Sequence, residues 1–278
     1  MKIDGVVAVT GAGGGLGLGF ITEAARRGYR CLALILDESQ RADVATATAG
    51  LSGAVEIQIL DVTKPGDFAF PADLDVLVNN AGIRLKNLPI EHLPLDEWRL
   101  YMEINFFGAV ELTKRAIPVM RARGKGLIVN INSGSLYSPI PFLGPYRATK
   151  GAMMAFTETL RCEVEQFGIG VLEILPGAVR TGINKESVTV RVAHAVEYPD
   201  YAPMAERQHA MYKDTDFRIW EIEDAAKFIV DAMEDNGGRM RHGSDPGSDA
   251  SAVSGWRPNG GEQQIAPFIA RLTPEKTT

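Results

Sequence analysis

Cysteine is nearly missing from this chain. Cys31 and Cys162 are the only two in 278 residues, and neither belongs to a Cys-x-x-Cys pair. Both read as small buried or half-buried thiols, which excludes a disulfide-stapled class and fits a reducing compartment. Histidine is sparse as well. His92, His194, His209 and His242 have no metal-ligand spacing between them, so no metal site is expected. No apolar run approaches the ~18 residues a membrane span requires, and the opening MKIDGVVAVTGAGGG lacks a signal-peptide layout. The expectation is a soluble, cytoplasmic protein with no membrane partner. An excess of positive charge is also absent. The net charge is −6, which leaves no electrostatic footprint for nucleic acid and argues against it as a partner.

What is present is ordinary globular composition, 45% hydrophobic and 23% charged, at a length that buries a sizeable core unaided. Up to about residue 180 two textures alternate. Short apolar runs occur at Val6–Thr10, Cys31–Leu36, Val55–Leu60, Leu74–Asn79, Leu127–Ile131 and Val171–Leu175. Most are apolar throughout, as strands buried on both faces are. Between them Leu16–Arg27, Leu95–Arg123 and Pro145–Phe167 have helical spacing, and Arg41–Ala54 suits a short helix. Strand and helix in alternation imply an α/β fold, a Rossmann-like doubly wound parallel sheet in three layers. The connection Asp61–Asp73 carries Pro65, Gly66 and Pro71, so a loop or single turn is expected there in place of a helix.

After Thr181 the texture changes. Residues 182–219 lack a clean period, although Ala202–Lys213 could be helical, and they are read as a substrate-loop region. Glu221–Asp235 reads as an amphipathic helix with an acidic start. From about residue 236 the chain is rich in Gly, Ser, Asp and Pro and is expected to be an irregular tail. With no repeat and no linker, residues 1–278 are read as one domain.

The sequence Thr10-Gly11-Ala12-Gly13-Gly14-Gly15-Leu16-Gly17 follows the first strand and opens the first helix. Glycines there let the backbone turn sharply and approach a diphosphate, while the helix N-terminus offers unpaired N–H groups. The spacing Thr-Gly-x-x-x-Gly-x-Gly resembles that of the short-chain dehydrogenases/reductases. Through that resemblance Gly11, Gly14, Gly15, Leu16 and Gly17 are assigned to the cofactor. Asp37 follows the second strand, where a carboxylate can hold the adenosine ribose and repel a 2′-phosphate. The family's NAD-selecting acid stands two residues earlier, at the place of Ile35. No Arg or Lys lies in the glycine loop or near Leu36, so NAD is favoured over NADP.

Tyr146 and Lys150 share a helical face, and a neighbouring cation favours a phenolate able to exchange a proton. Ser133 ends a strand thirteen residues before Tyr146, the separation found in the same family. It can hydrogen-bond a substrate oxygen, a role for which Asn132 and Ser135 are neighbours. Asn105 lies inside the long helical segment, where an Asn is costly unless satisfied locally. The resemblance implies a helix irregularity at which Asn105 helps hold a water linking Lys150 to solvent. Further matches implied by the resemblance are Asn80-Ala81-Gly82 after the fourth strand and Asp61-Val62 after the third. Pro176, Gly177, Val179 and Thr181 follow the sixth, beside the nicotinamide.

The resemblance, spanning roughly residues 3–182, implies hydride transfer between a nicotinamide and a secondary alcohol or ketone. Tyr146 would move the proton, with Lys150 on the ribose and Ser133 on the oxygen. Substrate contacts are expected from Ser133, Ser135, Phe142 and Tyr146, with apolar walls including Leu136, Tyr137, Ile140, Pro141, Tyr198, Tyr201, Met204 and Met211. Such walls suit a bulky steroid-, retinol- or aryl-like substrate. Arg84 is read mainly as surface, pairing with an acidic substrate group being the alternative. Association as a homodimer or homotetramer through the helices of Asn105 and Tyr146 is also implied. A rival reading is a catalytically silent dinucleotide-binding regulator, but such proteins lose Tyr or Lys and this chain has both.

Overall fold

The computed structural model describes residues 2–137, 139–180, 194–214, 219–235 and 239–254. Among them, strands β1 (Val6–Thr10), β2 (Arg30–Ile35), β3 (Val55–Ile59), β4 (Leu74–Asn79), β5 (Gly126–Ile131), β6 (Ile169–Leu175) and β7 (Arg241–Gly243) form one parallel sheet. Its order is β3-β2-β1-β4-β5-β6-β7. The winding therefore reverses between β1 and β4, and a crevice opens at their carboxyl ends, where doubly wound sheets bind ligands.

Alternation along the strands sends side chains to two helical layers. Val7, Val9, Val76 and Val129 pack with α1 (Gly15–Arg26), α2 (Arg41–Thr48) and α7 (Ile222–Asp235) on one face. Ala8, Leu77, Ile128 and Val171 pack on the other face with α4 (Gly108–Arg123) and α5 (Gly144–Val164). Cys31 belongs to the first cluster, and burial pushes its thiol up to about 12, which makes it an inert core residue.

Asp61–Asp73 forms turns, and its Phe68 and Phe70 rings, edge to face at 4.9 Å, fill space against the second cluster where a helix would otherwise pack. The segment read as one helix over Leu95–Arg123 is α3 (Leu95–Met102) and α4 joined by a π-helical turn at Glu103–Phe107. Helix α6 covers Ala202–Asp214.

The expectation of an irregular tail from about residue 236 is corrected. Residues Arg241–Gly243 form β7 and Pro246–Ser254 form α8. The polar composition misleads because β7 is only three residues long and its Arg241 side chain is held by charge pairing with Glu173 and Glu158. Ser244, Asp245 and Ser248 then bond one another around the start of α8. Residues 236–238 and 255–278 of the expected tail lie outside the described residues, as do 182–193 and 215–218 of the substrate-loop region and Thr181. Among the described residues no helix is long and apolar enough to cross a membrane.

Candidate active site

The glycine loop sits at the reversal of the sheet. Thr10 closes β1, and its hydroxyl accepts the backbone N–H groups of Asn80 and Ala81, each at 2.9 Å. Asn80 returns its amide to the carbonyls of Thr10 (2.9 Å) and Gly11 (3.2 Å), so the ends of β1 and β4 are tied together. Gly11 has φ +62°, a left-handed conformation, and a Cβ there would lie 2.9 Å from the Ala81 Cα. At Gly17 a Cβ would collide with the Gly11 carbonyl oxygen. Gly14 differs, because a Cβ there meets nothing within 4 Å. Helix α1 begins with no capping side chain and no acidic residue in its first turn. An open space before an uncapped helix N-terminus suits a diphosphate.

Asp37 lies just past β2. Its carboxylate accepts from the backbone N–H (2.9 Å) and hydroxyl of Ser39, capping a 3-10 turn, while Ile35 is buried. Gln40, to which the sequence reading assigned no role, accepts the Leu36 N–H at 2.9 Å and overlies Gly13. Asp61 caps its own turn through Thr63, and Val62 packs against Gly108 of α4.

On α5, Lys150 is 6% exposed and its ammonium donates to the Ile131 carbonyl at 2.8 Å. The same nitrogen stands 5.7 Å from the centroid of the Tyr146 ring. Burial pushes the Lys150 ammonium below its ordinary range, with Tyr146 and Glu173 acting in the opposite sense. Ser133, also buried, bonds Ser135 Oγ at 2.9 Å and accepts the Ser135 N–H at 3.2 Å. Arg147, next to Tyr146, holds that turn from α5 by donating to the carbonyls of Ser135 (2.8 Å) and Leu136 (3.2 Å). Asn105 sits in the π-helical turn. Its amide braces the loop after β4 by accepting the Ile83 N–H at 2.7 Å and donating to the Ile83 carbonyl at 2.9 Å. Tyr101 accepts the Leu85 N–H. With both neighbours clamped, Arg84 places its guanidinium 5.9 Å from the Tyr146 ring centroid. The reading of Arg84 as plain surface misses this, since no local pattern announces a contact across 62 residues.

Pro176 and Gly177 directly follow β6, the Pro176 carbonyl accepting from Gly134 N–H at 2.9 Å. Val179 pairs with Trp220 in an isolated bridge, and Ser244 of the β7–α8 turn accepts the Gly177 N–H at 3.3 Å. These two supports come from late in the chain and escape the sequence reading. Phe142 is buried against Tyr201, Met204 and Ala205 of the α6 region, with φ +65°. Tyr201 bonds Glu91 at 2.6 Å and Tyr198 stacks on His92 at 4.1 Å, so these tyrosines dock the α6 segment onto the Ile90–His92 turn. A cleft of about 370 Å³ opens among Ile90, Ile140, Phe142 and Arg147. Its α5 residues, Gly144, Arg147 and Ala148, lie roughly 130° around the helix from Tyr146 and Lys150. That cleft therefore lies on a different side of α5 from Tyr146 and Lys150.

Comparison with known proteins bears on this geometry. Residues 5–191 match the family model for short chain dehydrogenase. The chain is 32% identical over 197 residues to the uncharacterized oxidoreductase YusZ of Bacillus subtilis (strain 168), covering 66% of this chain and 68% of that protein. It is 33% identical over 189 residues to estradiol 17-beta-dehydrogenase 2 of Mus musculus, covering 64% of this chain and 49% of that protein. The chain thus spans from about half to two thirds of the length of these relatives. A solved short chain dehydrogenase from Burkholderia cenocepacia J2315 in complex with NADP superposes with a TM-score of 0.70 at 22% identity, over 99% of this chain and 100% of that one. That likeness is one of fold.

Proposed function

We propose that this chain, which belongs to the short-chain dehydrogenase family, is a nicotinamide-dependent oxidoreductase interconverting a secondary alcohol and a ketone. The observation that carries the reading is the buried Lys150 ammonium 5.7 Å from the Tyr146 ring, at the sheet end that also bears Ser133 and the open, uncapped glycine loop. When bound, the nicotinamide supplies the acceptor or donor for a hydride from or to the carbinol carbon. Gly11, Gly14, Gly15, Leu16 and Gly17 hold the diphosphate, and Asn80, Ala81, Gly82, Pro176, Gly177, Val179 and Thr181 border the rest of the cofactor. Tyr146 takes the hydroxyl proton in oxidation and returns it in reduction. Ser133, steadied by Ser135, hydrogen-bonds the substrate oxygen as charge develops on it. Lys150 sets a positive charge beside Tyr146 and binds the nicotinamide ribose, and the π-helical turn at Asn105 holds the water that connects Lys150 to solvent.

NAD is the proposed dinucleotide. The exposed segment beyond β2 carries Asp37 and Glu38 against the single cation Arg41. Arg41 pairs with Glu38 at 2.6 Å and donates to the Ile57 carbonyl at 3.1 Å. Net negative charge there disfavours a 2′-phosphate. The substrate is proposed to be bulky and hydrophobic, supported by the steroid named in the mouse relative. Self-association as a dimer or tetramer and a cytoplasmic setting complete the reading.

The test is a spectrophotometric panel of hydrophobic secondary alcohols with NAD and NADP, read at 340 nm. Tyr146→Phe is expected to lower turnover by roughly 10³-fold or more, with dinucleotide affinity within about threefold of the parent. Full activity in that variant would remove Tyr146 from the role.

A further inference from the structure

Polar residues at one level cross four adjacent strands of the sheet. Asn79 of β4 pairs with Asn130 of β5, Asn130 with Glu173 of β6, and Glu173 with Arg241 of β7. Asn79, Asn130 and Glu173 are buried. The row faces α4 and α5, where Asn79 donates to Thr113, Asn130 to Thr157 and Arg241 to Glu158. A carboxylate in the middle of a central region of sheet carries a heavy desolvation cost unless its oxygens are satisfied. Both are satisfied here. Glu173 Oε2 accepts from Arg241 Nε at 2.7 Å, and Oε1 accepts from the Asn132 amide.

Asn132 is the link to the reaction site. It directly precedes Ser133, and its other amide N–H donates to the Lys150 backbone carbonyl at 3.1 Å. Both partners are acceptors only, so the orientation of this amide is set by chemistry. The side chain of Glu173 thereby reaches the two elements that must keep register, the β5 end with Ser133 and the α5 turn with Lys150.

We propose that Glu173 is a positioning residue for Lys150, acting through Asn132 to hold the α5 turn, and with it the buried ammonium, against the β5 end. Among the described residues, the charged and titratable groups around Lys150 are few. Tyr146 lies on α5 and Arg84 reaches Tyr146 from the loop after β4. Glu173 comes from β6, with Arg241 on its far, β7 side and Glu158 of α5 beyond Arg241. Burial drives Lys150 toward its neutral form, and Tyr146 and Glu173 oppose this.

The inference rests on the proposed use of Lys150 as a cation, and its test does not require turnover. In the full chain labelled with ¹³Cε-lysine, the Lys150 resonance is assigned with Lys150→Met and followed through pH. Glu173→Gln is expected to move the Lys150 titration down by about one pH unit or more. The alkaline limb of dinucleotide affinity should fall by the same amount while the acid limb stays. Glu173→Gln combined with Arg241→Met removes both members of the ion pair, and where the single variant fails to fold it is expected to show a displacement in the same direction, reduced because a cation is lost with the acid. A Lys150 titration unmoved in the folded variant overturns the role of Glu173. Absence of dinucleotide binding and turnover in the parent chain would instead overturn the oxidoreductase reading, with the lysine titration still deciding the inference.

Discussion

Asp75 is completely buried and ringed by donors. The backbone N–H groups of Asp4 (2.9 Å) and Gly5 (2.6 Å) point at one carboxylate oxygen, and Arg123 and Lys125 add ion pairs at 2.9 and 3.0 Å. Burial alone would raise its pKa, but these donors outweigh it and hold the carboxyl below the usual range. The folded value is thus lower than the unfolded one, so the stabilisation is present above the unfolded pKa and is lost as pH falls through the folded one. Asp75→Asn is expected to lower unfolding free energy by about 2–3 kcal/mol at pH 7. That difference should shrink in denaturant titrations at about pH 3 and below. Nothing local marks Asp75 for this, since in DLDVLVN it reads as one polar residue in a strand. Phe142 is a second case. A bulky residue at φ +65° is strained by about 1–3 kcal/mol, and only its packing under α6 explains why the strain persists.

Among the elements, the glycine loop separates fold from function within one motif. Gly17→Ala would drive a Cβ into the Gly11 carbonyl oxygen, a backbone atom that cannot yield without moving the loop. It is expected to lower both stability and dinucleotide affinity. Gly14 has extended backbone and open space at its Cβ position. Gly14→Ala should leave the melting temperature within about 2 °C while weakening dinucleotide binding roughly tenfold or more. Calorimetric melting and a fluorescence titration with NADH distinguish the two variants, and equal affinity for Gly14→Ala and parent would displace the diphosphate from this loop. The π-helical turn belongs to the same scale. Helical periodicity over Leu95–Arg123 is real, yet a single extra residue in the turn at Glu103–Phe107 lets Asn105 face inward to Ile83. The family resemblance implied the irregularity at Asn105; the type of turn depended on what it packs against.

For the molecule as a whole, the exposed apolar side chains of the α3–α4 rod are the feature the monomer does not use. Leu95 is 68% exposed, Leu100 43% and Phe107 47%, and Phe106 lies beside them, edge to face with Phe156 of α5 at 6.0 Å. Such a surface fits the proposed self-association. Phe107→Glu is expected to weaken it at least about tenfold in sedimentation velocity across a concentration series. A parent chain that sediments as a monomer throughout that series would remove the proposal. The supports of the proposed cofactor floor also belong to this scale, because Trp220 and Ser244 reach Val179 and Gly177 from late in the chain.

The strands, the glycine loop and the Tyr146–Lys150 pair were legible in the sequence because each is local. Burial on two faces writes continuous apolar runs, a tight diphosphate turn demands glycines, and a shared helical face needs only a spacing of four. The partners that hold those groups were not legible. Glu173 behind Asn132, Arg241 behind Glu173, Arg84 over Tyr146 and Ser244 under Gly177 are joined across tens of residues, by side chains whose meaning depends on what surrounds them. The tail reading failed for the same reason, since a three-residue strand held by charge pairs leaves no periodic trace. Local physics determined which elements form and where Ser133, Tyr146 and Lys150 lie. Only the closing of the sheet decided which charges stand next to them.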